Sequence, residues 1–409
     1  MRLYKKLLFS FCTLSFAIAD CSAQADESTV SSNRIYFSSG YFENTFNSNE
    51  GMSYFPMSVY ETYNWGFEKL SYDSSKLSRF FSWLIGGQIL PLYVHGVTNT
   101  SFHEFGHATR DRRYGFNDIY YRPNDSSKTV TSFFSMFFER FATPFDGAST
   151  GAPNRGTADD EADFVISAGG MNNEILLSKL IAERIHERGG SVPDLSYYLN
   201  SKLGPYGYST SDSKTGDPER LVSGYSRLGK NITRKDFQNH YLFSTFASGT
   251  FYSLLWGNID YLRNSQHRIK PLSLGGFTLP DFYTYLNTKG ISTEAVLHYQ
   301  ATENIKLGLS YERIYEGDSY DQISPEILFQ INNQSHYIKN YSLKPQLVIG
   351  IESGRVDLGG SVLVEATTQL DVGMFLKYTY YNKNTLYGER NSPFASHSNE
   401  LLAGAYYVL

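Results

Sequence analysis

From Phe277 to the C-terminus the chain alternates apolar and polar residues with a period of two. Ile291, Thr293, Ala295, Leu297 and Tyr299 interleave with Ser292, Glu294, His298 and Gln300. Ile305, Leu307, Leu309 and Tyr311 interleave with Lys306, Ser310 and Glu312, and Leu347, Ile349 and Ile351 with Gln346 and Glu352. Residues 327–331, 356–366, 374–380 and 401–409 continue the rhythm. Only an extended strand sends successive side chains to opposite faces, so this third of the chain must build a sheet. Counting residues 277–286, about eight strands are expected. Turn clusters such as Glu316-Gly317-Asp318, Ser353-Gly354-Arg355 and Asn382-Lys383-Asn384 separate them, which predicts antiparallel neighbours.

Each strand has one apolar or aromatic face and one polar, often charged face. A soluble sheet turns the apolar face inward; a membrane barrel turns it toward lipid and keeps a polar interior. Periodicity alone does not say which. The end of the chain, Tyr406-Tyr407-Val408-Leu409, resembles the terminal strand of outer-membrane barrels, with an aromatic at Tyr407 but Leu where Phe is usual. That resemblance implies an outer-membrane barrel, the alternative being a soluble periplasmic or secreted β domain.

The N-terminus points the same way. Arg2, Lys5 and Lys6 precede an apolar run over residues 7–19, and Ala23-Gln24-Ala25 has the small-residue pattern of a signal-peptide cleavage site. Export is expected, with a mature chain from Asp26. A lipoprotein anchored through Cys21 is the alternative, opposed by Asp20 before it. The only other cysteine is Cys12, so a chain cleaved after Ala25 has neither disulfides nor thiol chemistry. A net charge of −5 gives no sign of a nucleic-acid partner.

The chemistry is concentrated in Phe102-His103-Glu104-Phe105-Gly106-His107-Ala108. On a helix, residues four apart share a face, so His103 and His107 can aim ring nitrogens at one metal ion. Glu104 stands where it can take a proton from a metal-bound water. Gly106 costs about 1 kcal/mol against Ala in a helix interior, so its presence predicts the close approach of another backbone or of substrate. The residues around the motif are uncharged, as suits a helix buried beside a metal.

This H-E-x-x-H segment resembles the zincin metallopeptidases. The resemblance implies Zn2+ held by His103, His107 and a third ligand, with Glu104 as catalytic base. In Glu-type zincins the third ligand is a Glu on a later helix, often after Asn. Asn173-Glu174 matches that arrangement, although it lies further from His107 than in thermolysin-like enzymes. The acidic run over residues 159–163 is a rival, since it resembles the third-ligand helix of some membrane-associated zincins with Asp159 at the ligand position. His95 and His186 remain further candidates. Asp111, four residues beyond His107, is a candidate to orient an imidazole.

The rest is less specific. Arg34-Ile35-Tyr36-Phe37 and Ser58-Val59-Tyr60 are possible short strands. Residues 83–98 read as a buried core helix, or alternatively as a short membrane span. Residues 117–158 read as a long loop or lid with a short helix. Apolar residues at Ile175, Leu176, Leu180, Ile181 and Ile185 predict a helix ended by Gly189-Gly190. Tyr206, Tyr208 and Tyr225 are candidate phenols beside a reacting centre, and His240 reads as structural.

The expectation is an α+β chain: a signal peptide over 1–25, an aromatic-rich segment over 26–70, a helical zincin-like domain over 71–270, and an antiparallel β-barrel or β-meander over 271–409. Its expected function is zinc-dependent hydrolysis of a peptide or protein substrate in the bacterial envelope. The alternative is an outer-membrane barrel for transport or adhesion whose helical cap carries a structural metal or none.

Overall fold

The computed structural model describes residues 33–71, 75–124, 128–211, 216–332, 335, 337–388 and 397–409. The expected leader, with Cys12 and Cys21, lies outside the described residues.

Helices form most of the first two thirds. Seven carry the argument: α1 (Asn49–Leu70), α2 (Leu90–Arg113), α3 (Asp160–Arg188), α4 (Asp194–Thr210), α5 (Asp217–Arg227), α6 (Arg234–Phe246) and α7 (Gly249–Asn264). Their ends follow local chemistry. Ser48 caps α1 by accepting from the Gly51 amide, and Asp159 caps α3 by accepting from Ala162. The C-terminal end of α3 falls at Gly189, whose φ of +86° suits glycine. Phe102, Phe105, Met171, Ile175, Tyr197 and Tyr241 are among the fully buried residues that pack these helices together.

The strands are β1 (Arg34–Ser38), the pair β2 (Tyr120–Arg122) and β3 (Ser149–Gly151), the short β4 (Ser273–Leu274) and β5 (Phe277–Thr278), and then β6 (Asp281–Asn287), β7 (Gly290–Thr302), β8 (Ile305–Gly317), β9 (Asp321–Asn332), β10 (Ile338–Glu352), β11 (Arg355–Thr368), β12 (Val372–Tyr381) and β13 (Asn399–Val408). The main sheet has 11 strands in the order β1-β13-β12-β11-β10-β9-β8-β7-β5-β4, with β6 also paired to β7. This is the expected antiparallel meander, longer than the eight strands anticipated. The stretch from Phe277 divides at Pro280 into β5 and β6, and the N-terminal segment adds β1 against β13.

The sheet does not close into a barrel. Side chains from the helical part satisfy strand backbone at β1 and at β6 instead. At β1, the Arg34 amide donates to Glu61 and the Tyr36 amide to Ser58, both on α1. At β6, Asn172 of α3 both accepts from the Leu286 amide and donates to its carbonyl, and Ser248 accepts from the Phe282 amide. Edge groups occupied this way do not seek another strand. Ser58-Val59-Tyr60, a possible strand from sequence, lies within α1.

The sheet's polarity is the reverse of a soluble sheet's. Its outward face is apolar and exposed, as at Leu347, Val362 and Leu376. Its inward face is charged and packs on α1 and α3. There Lys179 donates to Glu294 at 2.8 Å, Lys344 lies 3.0 Å from Glu187 and 3.3 Å from Glu326, and Lys377 pairs with Glu50. A cavity of about 180 Å3 remains between this face and the two helices.

The segment read as a buried core helix also differs. Residues 76–113 form one continuous helical rod, from Lys76–Phe81 through a wider π-type stretch over Ser82–Ile89 into α2. The wider turns precede Pro91, whose ring removes one amide donor. An 18-residue window of this rod is only 22% buried. Its C-terminal half is buried; its N-terminal half is apolar and exposed.

Candidate metal centre

α2 and α3 cross at two glycines. A Cβ on Gly106 would stand 2.3 Å from the Gly169 carbonyl oxygen, and one on Gly169 would stand 2.4 Å from that of Gly106. The close approach anticipated for Gly106 is thus with the α3 backbone. Asn173 fastens the crossing, donating to the Phe102 carbonyl at 2.7 Å.

The crossing sets both histidines. Nδ1 of His107 is 2.7 Å from the Ile166 carbonyl oxygen, which can only accept, so this nitrogen carries the proton. Nδ1 of His103 is 2.6 Å from Oε1 of Glu174. Each contact leaves Nε2 as the nitrogen that faces the site. Burial disfavours a charged ring, but with no ion bound Asp217 and Glu174 hold His103, and Asp217 holds His107, toward the protonated form. The two Nε2 atoms converge beside Gly170, where a Cβ would lie 2.3 Å from that of His103 and 2.6 Å from that of His107.

The carboxylate between them belongs to Asp217, the first residue of α5. Its Oδ2 is 3.2 Å from Nε2 of His103 and 3.1 Å from Nε2 of His107. Ligands sharing a tetrahedral ion with bonds of 2.0–2.1 Å are separated by about 3.3 Å. The three residues are buried, and among the described residues they form the group whose donor atoms could hold one metal ion. Burial works against the Asp217 anion, but the His107 and His103 imidazoles outweigh it and hold its carboxyl well below the usual range.

Glu174, the favoured third ligand from sequence, lies behind His103 on Nδ1, and Asp217 takes the place between the Nε2 atoms. Glu174 fits there because Gly204 of α4 has no Cβ, which would fall 1.8 Å from Oε2. The acidic run is also away from the cluster. Asp159 caps α3, while Asp160 and Asp163 pair with Arg227 at 2.7 and 2.6 Å. Those pairs tie α5, and hence Asp217, to α3.

Glu104 projects beside the pair, its Oε2 accepting from the Thr150 hydroxyl at 2.8 Å. Thr150 is on β3, so the segment expected to be a lid contributes a small two-stranded sheet over this carboxylate. Tyr208 is the candidate phenol that reaches the site. It accepts from the Asp217 amide at 3.2 Å, and its ring lies 5.9 Å from that of His103. Tyr225 instead donates to the Gly290 carbonyl. His95 bonds Tyr60, His186 bonds Asp281 and His240 bonds Thr293, all away from the cluster. Asp111 faces Arg155 at 3.7 Å and does not orient His107.

Sequence reading missed Asp217, Thr150 and Gly170. The signal for Asp217 is Asp217-Pro218 itself, since an Asp before Pro is a helix start. Comparison with protein-family models, curated proteins and solved structures finds no match to this chain.

Proposed function

We propose that the chain is a zinc-dependent hydrolase acting on peptide bonds, with Zn2+ held by His103, His107 and Asp217 and Glu104 as the general base. The observation that carries this reading is that the Nε2 atoms of both imidazoles lie within 3.2 Å of one Asp217 carboxylate oxygen, beside the Glu104 carboxylate. Three protein ligands are the number that leaves a catalytic zinc an open position, whereas a structural zinc takes four. When bound, zinc supplies a Lewis acid that polarises a carbonyl and makes water acidic near neutral pH.

The chain's own groups do the rest. Glu174 and the Ile166 carbonyl hold the imidazole tautomers. Thr150 fixes the Glu104 carboxylate, which accepts a proton from the attacking water and returns it to the leaving amine. The H-E-x-x-H resemblance to zincins supports peptide as the substrate class.

We place the protein in the bacterial envelope, with the outward sheet face in the outer membrane. Support comes from the apolar outer face, the charged inner face and the leader-like N-terminus. A transport pore has less support, because α1 and α3 pack against the inward face of the sheet.

The test is zinc content and hydrolysis of a casein-type protein substrate. Wild type should bind about one zinc per chain. His103→Ala and Asp217→Ala should lose it, and Glu104→Gln should keep it while losing cleavage. Zinc binding unchanged by Asp217→Ala, or cleavage unchanged by Glu104→Gln, would sink the reading.

A further inference from the structure

The rows of outward residues run across the sheet without a break in polarity. Phe329 pairs with Leu343, Leu343 with Val364, Val364 with Leu376, and Leu376 with Ala403. A second row joins Ile323, Ile349 and Leu358. The outward positions of β10 from Leu343 to Ile351 and of β11 from Val356 to Ala366 include no charged residue. Charge returns at the two ends of the strands. Arg313 and Asp321 pair at one rim, at 3.7 Å, and Lys339 and Asp371 at the other, at 2.8 Å. The ten steps from Val356 to Ala366 span about 33 Å of strand. At the tilt of roughly 40° usual for membrane sheets, that is a band about 25 Å high, the apolar height of such proteins.

The sheet is open, so this band has two ends. The helical part begins where each ends. Beyond β4 and β5, with Leu274 and Phe277 exposed, comes α7, whose Ser253 accepts from the Leu272 amide and which exposes Leu255 and Trp256. Asn258 of α7 accepts from the Trp83 indole at 2.8 Å and so holds the rod of residues 76–113. The rod exposes Leu77, Phe81, Ile85, Ile89 and Leu92, spaced three or four apart on one stripe. From Phe80 to His103 it has no Asp, Glu, Lys or Arg. The stripe from Leu77 to Leu92 rises about 22 Å, close to the height of the sheet's band. Next along, Tyr93 donates to the Phe141 carbonyl, and Phe138, Phe141 and Phe145 are exposed. Phe137 then packs edge-on against Phe55 of α1, at 4.9 Å between ring centres, and α1 returns to β1 through Ser58.

We propose that the lipid-facing surface is a closed belt, half sheet and half helix, in which the rod of residues 76–113 and α7 replace the strands that would otherwise close a barrel. The occupant of the belt is bilayer hydrocarbon. Two features select it: the charge-free band between two charged rims, and the matched height on sheet and rod. The inference deepens the membrane placement made above. It puts the metal centre on the same rod that lipid contacts, about 30 Å further along from the stripe's centre.

The experiment reads nitroxide accessibility in phosphatidylcholine vesicles. The full chain, with Cys12 and Cys21 replaced by Ser, carries single labels at Leu347, Leu376, Ile85, Leu92 or Trp256, and a reference label at Lys339. Expected is a loss of nickel-chelate relaxation at the five apolar positions, with oxygen relaxation high, while Lys339 keeps the chelate effect. Chelate access at Ile85, Leu92 and Trp256 with protection at Leu347 and Leu376 would overturn the closed belt and leave a sheet-only membrane face. Chelate access at all positions would overturn the membrane placement as well. Unchanged circular dichroism of each labelled chain excludes misfolding as the cause.

Discussion

Glu174 and Asp217 meet opposite nitrogens of one imidazole. Oε1 of Glu174 is 2.6 Å from Nδ1 of His103, and Oδ2 of Asp217 is 3.2 Å from its Nε2. A carboxylate on Nδ1 fixes the ring and raises its basicity; a carboxylate on the Nε2 side shares whatever the ring ligates.

The two acids therefore predict different losses. Asp217→Ala should abolish tight zinc binding. Glu174→Gln keeps a hydrogen-bond acceptor behind His103 and should weaken zinc about 10- to 100-fold without abolishing it. Competition with a chelator of known affinity measures both. Equal loss in the two variants would mean that Glu174 acts as more than a support for His103.

The misplaced ligand shows what a sequence transmits. His103, Glu104 and His107 are three residues of one helix, and a helix has a fixed period, so their shared face was legible. Asp217 arrives 110 residues after His107 through the packing of α5 on α3, and no period links them. Glu174, expected as the third ligand, lies against Nδ1 of His103, and no spacing rule distinguishes Nδ1 from Nε2. The sheet was legible for the same reason as the motif, through its period of two. Its failure to close was not. That failure goes with Glu61, Ser58, Asn172 and Ser248 reaching strand backbone from distant parts of the chain.

Thr150 offers a test of the base. Its hydroxyl donates to Glu104, so Thr150→Val removes one hydrogen bond to a charged group, worth about 1.5 kcal/mol. The expected fall in kcat is about tenfold, with zinc content unchanged. Thr150→Ser should restore most of the rate. A rate insensitive to Thr150→Val would place the working position of Glu104 away from β3.

The glycines of the crossing separate folding from metal binding. Gly106→Ala drives a Cβ into the Gly169 carbonyl, where only backbone can give way, and should cost about 3 kcal/mol of stability. Gly170→Ala places its Cβ against the two Nε2 atoms. It should lower zinc occupancy more than stability. Denaturant unfolding of the metal-free chains, set beside zinc titration, tells the two apart. A Gly170→Ala chain with wild-type zinc affinity would show that the rings do not bind metal on that side.

Lys202 gives a prediction in pH. It is fully buried on α4, its ammonium 3.8 Å from the centre of the Tyr283 ring and donating to the Ser244 and Phe282 carbonyls. Burial lowers its pKa from 10.5 to about 7, against a smaller opposing effect of Asp281 and Glu294. Between those values the unfolded chain binds a proton that the folded chain has released. Stability from this group therefore rises with pH from about 7 to 10.5, and the full cost of the buried charge is felt below pH 7. Lys202→Met removes that cost. The Ser248 hydroxyl, with its single proton, still serves one of the two carbonyls, that of Ser244 at 2.7 Å or that of Phe282 at 3.2 Å. The variant should be more stable than wild type at pH 6 by on the order of 2 kcal/mol, and the advantage should shrink steadily as pH approaches 10.5. Urea unfolding of both chains from pH 6 to 10 measures it. An advantage independent of pH would mean that Lys202 does not lose its proton within the fold, and that the gain comes from packing alone.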